Sequence, residues 1–180
     1  RFSLGWAIHS ACSGGSVEMV EELLARAADP NILVNVRFSD LVAAACGGGN
    51  LPVLKFLLAL DGNRRVNISK TKRAAFENAC ASGSLPVLRQ LLSLKGERRI
   101  DVLSNGRRAL EVACRNGNED IVRELLALTG DRRFGARECT QKCLHWACYY
   151  GHLGVARVLL ALTGDRRVHL YADEPEGVYR

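Results

Sequence analysis

Ala113-Cys114-Arg115-Asn116-Gly117 decides the architecture, because the chain writes that pattern five times. Its Cys recurs at 12, 46, 80, 114 and 148, and its closing Gly at 15, 49, 83, 117 and 151, so each step is 34 residues. A Leu pair keeps the same register at 23–24, 57–58, 91–92, 125–126 and 159–160. Four units also carry a Gly shortly before an Arg pair: Arg64-Arg65, Arg98-Arg99, Arg132-Arg133 and Arg166-Arg167. Chance does not align three such ladders. A fixed period in the range of 20 to 50 residues marks an array of stacked units.

Working outward from Cys114, each unit reads as two short helices. Ala109, Leu110, Ala113 and Cys114 fall at i, i+1, i+4 and i+5, one face of a helix. Gly117 breaks it. Asn118 then stands where an N-cap belongs, with Glu119 and Asp120 in the first turn, where acids favour the helix dipole. Ile121, Val122, Leu125 and Leu126 repeat the apolar face. Asn50-Leu51-Pro52 and Ser84-Leu85-Pro86 start the equivalent helices with a capping residue and a first-turn Pro. About ten residues without helical period follow each second helix, such as Phe134 to Lys142, and are expected to form an extended turn or hairpin. The first helices are rich in Ala and Cys and the second in Leu and Val. The first can therefore pack closely, which bends a stack toward them, and each unit needs its neighbours to cover its apolar face.

The pattern resembles the ankyrin repeat. The fifth unit carries the likeness best, in Cys143-Leu-His-Trp-Ala-Cys-Tyr-Tyr-Gly-His152 and Leu153-Gly-Val-Ala-Arg-Val-Leu-Leu160. It mirrors the family's Thr-Pro-Leu-His-x-Ala, Gly-His and Val-Val-x-x-Leu-Leu elements. Departures are plain: no unit has the Thr-Pro pair, and the period exceeds the family's by one residue. The tetratricopeptide repeat has a 34-residue period too, but its aromatic and Pro landmarks are missing. The resemblance implies an all-α, ankyrin-like solenoid of helix-turn-helix units with hairpin or turn connections. The expected units are 1–34, 35–68, 69–102, 103–136 and 137–170, with 171–180 beginning a sixth. The sole Met is Met19, and the chain reads as a piece of a longer one.

Composition bounds the function. The 180 residues are 48% hydrophobic and 24% charged, which is ordinary globular usage. No run approaches 18 apolar residues, so no membrane span is expected. Seven Cys are too few for a disulfide scaffold. Five of them share an inward position, and a column of free thiols points to the cytoplasm or another reducing intracellular compartment. Cys139, Cys143, His145 and Cys148 cluster, but Cys-x3-Cys-x-His-x2-Cys is not the paired spacing of a zinc site. Cys148 is expected to point to the core, and His145 takes the family's structural His position. Of the four His, three fall on repeat positions. Gly47-Gly48-Gly49 follows a helix and not a strand, the wrong context for a phosphate loop. No catalytic residue, metal, cofactor or small-molecule substrate is expected.

What remains is binding. By resemblance, the variable groove positions are Ser13-Gly14, Gly47-Gly48, Ala81-Ser82, Arg115-Asn116 and Tyr149-Tyr150. Tyr149 and Tyr150, with Trp146, are the aromatic type that anchors interfaces. The expected partner contacts are these three with Arg115, Asn116 and the hairpin residues Arg107 and Arg108. The leading reading is a protein-interaction module. Net charge is +6, and stacking sets the four Arg pairs in rows that suit phosphates or acidic side chains. A second basic column is Lys55, Arg89, Arg123 and Arg157. The alternatives are a scaffold that holds RNA or an acidic surface in a ribonucleoprotein, and the targeting arm of a larger enzyme or effector. Cations beyond a helix end also simply favour its negative pole.

Overall fold

The computed structural model describes residues 3–27, 37–60, 71–129 and 137–168. Among the described residues there are ten α-helices in five antiparallel pairs, and no strand. The first members form an inner row: α1 (Leu4–Gly14), α3 (Phe38–Gly47), α5 (Lys72–Ser82), α7 (Val102–Arg115) and α9 (Arg137–Tyr149). The second members form an outer row: α2 (Val17–Ala27), α4 (Leu51–Ala59), α6 (Leu85–Leu92), α8 (Glu119–Ala127) and α10 (Leu153–Leu160). The inner helices touch one another far more extensively than the outer ones do. Their Ala and Cys side chains allow that approach: Ala45, Cys46, Ala79, Cys80, Ala113 and Cys114 are completely buried between rows. A tighter inner row makes that side the concave one.

The chain reverses sharply between the two helices of a pair. Gly49, Gly83, Gly117 and Gly151 hold φ of 67°, 74°, 73° and 75°, the left-handed region where a Cβ is costly. At Gly117 space is closed as well, since a Cβ would come within 2.5 Å of the His152 ring. Gly15 departs from the series with φ −89°, and α1 ends without the left-handed residue. The following helices start as expected at Asn50, Ser84, Asn118 and His152. Asn50 Oδ1 accepts from the Val53 N–H at 3.3 Å. The other three make no such local bond, because their side chains reach the preceding pair instead.

Those reaches tie the stack together. Asn50 Nδ2 donates to the Gly15 carbonyl at 2.8 Å, and Ser84 Oγ to that of Gly49 at 3.3 Å. Asn118 Nδ2 donates to the carbonyls of Cys80 and Ala81 at 2.8 and 2.9 Å. His152 Nε2 meets the Arg115 carbonyl at 2.9 Å, and since a carbonyl only accepts, Nε2 carries the proton there. The last carbonyls of an inner helix lack intrahelical partners, and the next unit's cap residue satisfies them.

Two expectations about the connections are corrected. Ser93 to Asp101 forms no hairpin: a short 3-10 turn at Gly96–Arg98 leads directly to α7. Arg107 and Arg108, expected in a hairpin, therefore lie in a helix. The reason is an apolar face that runs back past Ala109: Val102, Ala109, Leu110 and Ala113 are all buried. Likewise α9 begins at Arg137, inside the stretch expected to lack helical period, because Cys139, Thr140, Cys143, Leu144 and Ala147 continue one buried stripe.

The thiol column is corrected at its end. Cys12, Cys46, Cys80 and Cys114 are buried, but Cys148 is exposed. Each buried one is covered by the inner helix of the following unit, and among the described residues no inner helix follows α9. Leu160 is exposed while its counterparts Leu24, Leu58, Leu92 and Leu126 are buried, for the same reason in the outer row.

Candidate functional site

The expected contact residues gather where α7 and α9 lie side by side. Tyr149 and Tyr150, at the end of α9, are 71% and 42% exposed. Trp146 stands one turn earlier on the same face. Spacings of three and four residues put these rings together. Trp146 meets Tyr149 edge-on at 6.3 Å between centroids and stacks on Tyr150 at 6.1 Å, and the two Tyr meet edge-on at 4.9 Å. The Arg115 guanidinium, from α7, lies 6.0 Å from the Trp146 ring and 5.6 Å from that of Tyr150. That is cation–π range, and it joins the two helices through a polar–aromatic contact at the surface. Beside it a shallow cleft of about 80 Å³ is lined by Arg108, Glu111, Val112, Arg115 and Trp146.

Two His side chains complete the shelf, and the sequence reading missed their part in it. His145 meets Trp146 edge-on at 5.4 Å and stacks on Tyr149 at 6.3 Å. His152 stacks on Tyr150 at 6.3 Å while its Nε2 holds the Arg115 carbonyl. The signal was present, since His145 and Tyr149 are an i, i+4 pair on a helix. Asn116, an expected contact in the turn just after α7, is exposed but donates Nδ2 to the Ala81 carbonyl at 3.0 Å, so it also splices neighbouring units.

Arg107 and Arg108 reach the inner surface from the early turns of α7. Arg107 lies 3.9 Å from Glu111, and Arg108 lies 3.6 Å from Glu77 on α5. Glu77 also takes Arg73 at 2.8 Å. The carboxylates are set back, with side chains only 20% and 24% exposed for Glu77 and Glu111. Arg73 and Arg108 stand proud of them at 67% and 63%.

The Arg pairs divide in role. Arg98 Nη1 donates to the Leu58 carbonyl at 2.8 Å, and Arg166 Nη1 to the Leu126 carbonyl at 2.6 Å. Each reaches back to the end of the preceding outer helix, where charge and carbonyl both favour a cation. Arg99 and Arg167, the second members, are exposed. Arg64, Arg65, Arg132 and Arg133 lie outside the described residues. In the second basic column, Arg89 forks onto Glu124 of α8 at 3.1 and 2.9 Å, and that hydrogen-bonded pairing raises its pKa. Arg123 pairs with Glu119 on its own helix at 2.6 Å.

All the cysteines but Cys148 are buried. Burial pushes the thiol of Cys12 up to about 11 and those of Cys46 and Cys80 to about 12. Cys139 and Cys143 are raised too, foremost by hydrogen bonding, of Cys139 to Cys143 and of Cys143 to Cys114. Such thiols stay protonated and unreactive near neutrality. Among the described residues, no three of His, Cys, Asp and Glu stand close enough to hold a metal ion. No helix among them is long and apolar enough to cross a membrane.

A profile of the family described as Ankyrin repeats (3 copies) matches residues 8–102, 41–137 and 76–169. No curated protein matches the chain.

Proposed function

The chain belongs to the ankyrin-repeat family, whose repeats generally serve as protein–protein interaction modules, and from that premise we propose that this array is a non-catalytic scaffold gripping a partner protein across α7 and α9. One observation carries the reading: Trp146, Tyr149 and Tyr150 form a continuous aromatic shelf at the surface, joined by two edge-on contacts and one stacked contact and braced by Arg115. Aromatic and Arg side chains dominate binding energy because they bury large area at small entropic cost. The shelf is preorganised by its own ring contacts, so little ordering is left for the moment of binding. Arg108 and the adjoining cleft supply the polar rim. The free, mostly buried thiols support a reducing intracellular setting for this work.

Tyr149→Ala combined with Tyr150→Ala tests the reading. Both side chains are exposed, so the thermal midpoint should stay within about 2 °C of the original, as surface changes alter stability by about 0.5 kcal/mol or less. Proteins retained from a cell extract on the immobilised chain should be lost with the double variant. The same retained set on both would sink the assignment of the shelf.

A further inference from the structure

The charge on the inner row is lopsided. Within the helix bounds, α1 holds no Asp, Glu, Lys or Arg, and α3 holds only Asp40. α5, α7 and α9 together hold seven Lys or Arg against three Glu. Two of those Glu, at 77 and 111, sit behind the cations they pair with, so the surface offered to a partner is positive. Arg115 meets no carboxylate among the described residues, its guanidinium facing rings instead. Two pairs of cations keep the repeat register over one step each: Arg107 lies 34 residues beyond Arg73, and Lys142 lies 34 beyond Arg108.

We infer that the occupant of this face is an acidic protein segment, lying extended across α5, α7 and α9 with an apolar or aromatic side chain on the Trp146–Tyr149–Tyr150 shelf. The inference rests on the inner-face binding reading and adds the chemistry of what is bound. Neighbouring packed helices lie about 8–10 Å apart. An extended chain advances about 3.3 Å per residue. One unit of the array therefore matches about three residues of the segment, and acidic side chains at every third position face successive cations. Nucleic acid fits less well. A phosphodiester chain takes its affinity from many free cations, whereas the Arg115 guanidinium lies over the Trp146 and Tyr150 rings and Arg98 and Arg166 are turned onto backbone carbonyls.

The test is selection of random 12-residue peptides displayed on phage against the 180-residue chain, with the winners synthesised and their affinities measured. Winners should carry acids about three residues apart and one aromatic or large apolar residue. Their affinity should fall at least tenfold with Arg108→Glu/Lys142→Glu, and also with Tyr149→Ala/Tyr150→Ala, in variants whose melting curves match the parent. Winners that need the Tyr pair but lack acids, and ignore the charge reversal, overturn the acidic segment while leaving the inner-face reading standing. Winners indifferent to both variants, or no winners, overturn both. A fluorescein-labelled 20-nucleotide single-stranded RNA binding at 150 mM salt, and lost with the charge reversal, overturns the acidic segment in favour of RNA.

Discussion

At the scale of the residue, the thiols give the sharpest expectation. An unfolded Cys ionises near pH 9, whereas burial holds Cys12 to about 11 and Cys46 and Cys80 to about 12. A pKa raised on folding means that the folded chain holds its proton more tightly. The stabilisation is complete below about pH 9 and is lost as pH climbs toward 12. The urea midpoint should therefore decline between about pH 9 and 11. Lys and Tyr also titrate there, so the decline is compared with that of Cys12→Ala/Cys46→Ala/Cys80→Ala, which should be shallower even though its midpoint starts lower. Equal slopes would refute the burial argument. The Cys column was legible from spacing because burial of a small side chain repeats with the unit. The exposure of Cys148 was not, since its period is the same and only its neighbours differ.

Elements carry a different lesson. The helix pairs could be read from Ala109, Leu110, Ala113 and Cys114 and from Ile121, Val122, Leu125 and Leu126, whose faces are apolar without exception. The starts of α7 and α9 could not, because their early turns bury Val102, Cys139 and Thr140 among exposed cations and polar residues, which dilutes the period. The same error misplaced Arg107 and Arg108, though it left them on the inner surface. The shelf itself was half legible: Tyr149 and Tyr150 stood out, but the bond from His152 to Arg115 crosses 37 residues and no local pattern announces it. The Arg98 reach is equally nonlocal and makes a plain prediction. Arg98→Ala leaves the end of α4 without its cation and should cost about 1–2 kcal/mol, a fall of roughly 3–6 °C in thermal midpoint. Arg167→Ala, at an exposed site, should cost less. Comparable losses for the two would contradict the role assigned to the first member of a pair.

On the scale of the whole molecule, stability is a sum of neighbour interfaces, so it should vary along the stack. α3, α5 and α7 are flanked on both sides by inner helices, whereas α1 and α9 have one such neighbour each among the described residues. Native-state hydrogen exchange should find the slowest amides in α3 to α8 and faster ones in α9 and α10, where Cys148 and Leu160 are uncovered. Uniform protection would argue for one cooperative core. Among the described residues, finally, the bonds that join a side chain of one unit to a backbone carbonyl of another all run one way: Asn50, Ser84, Arg98, Asn118, His152 and Arg166 each give a proton to a carbonyl earlier in the chain. A nascent polypeptide leaves the ribosome with its earlier units first. Every newly emerged pair thus arrives bearing the donors, onto a predecessor whose acceptors are already waiting, and the tower can be raised storey by storey while translation is still under way.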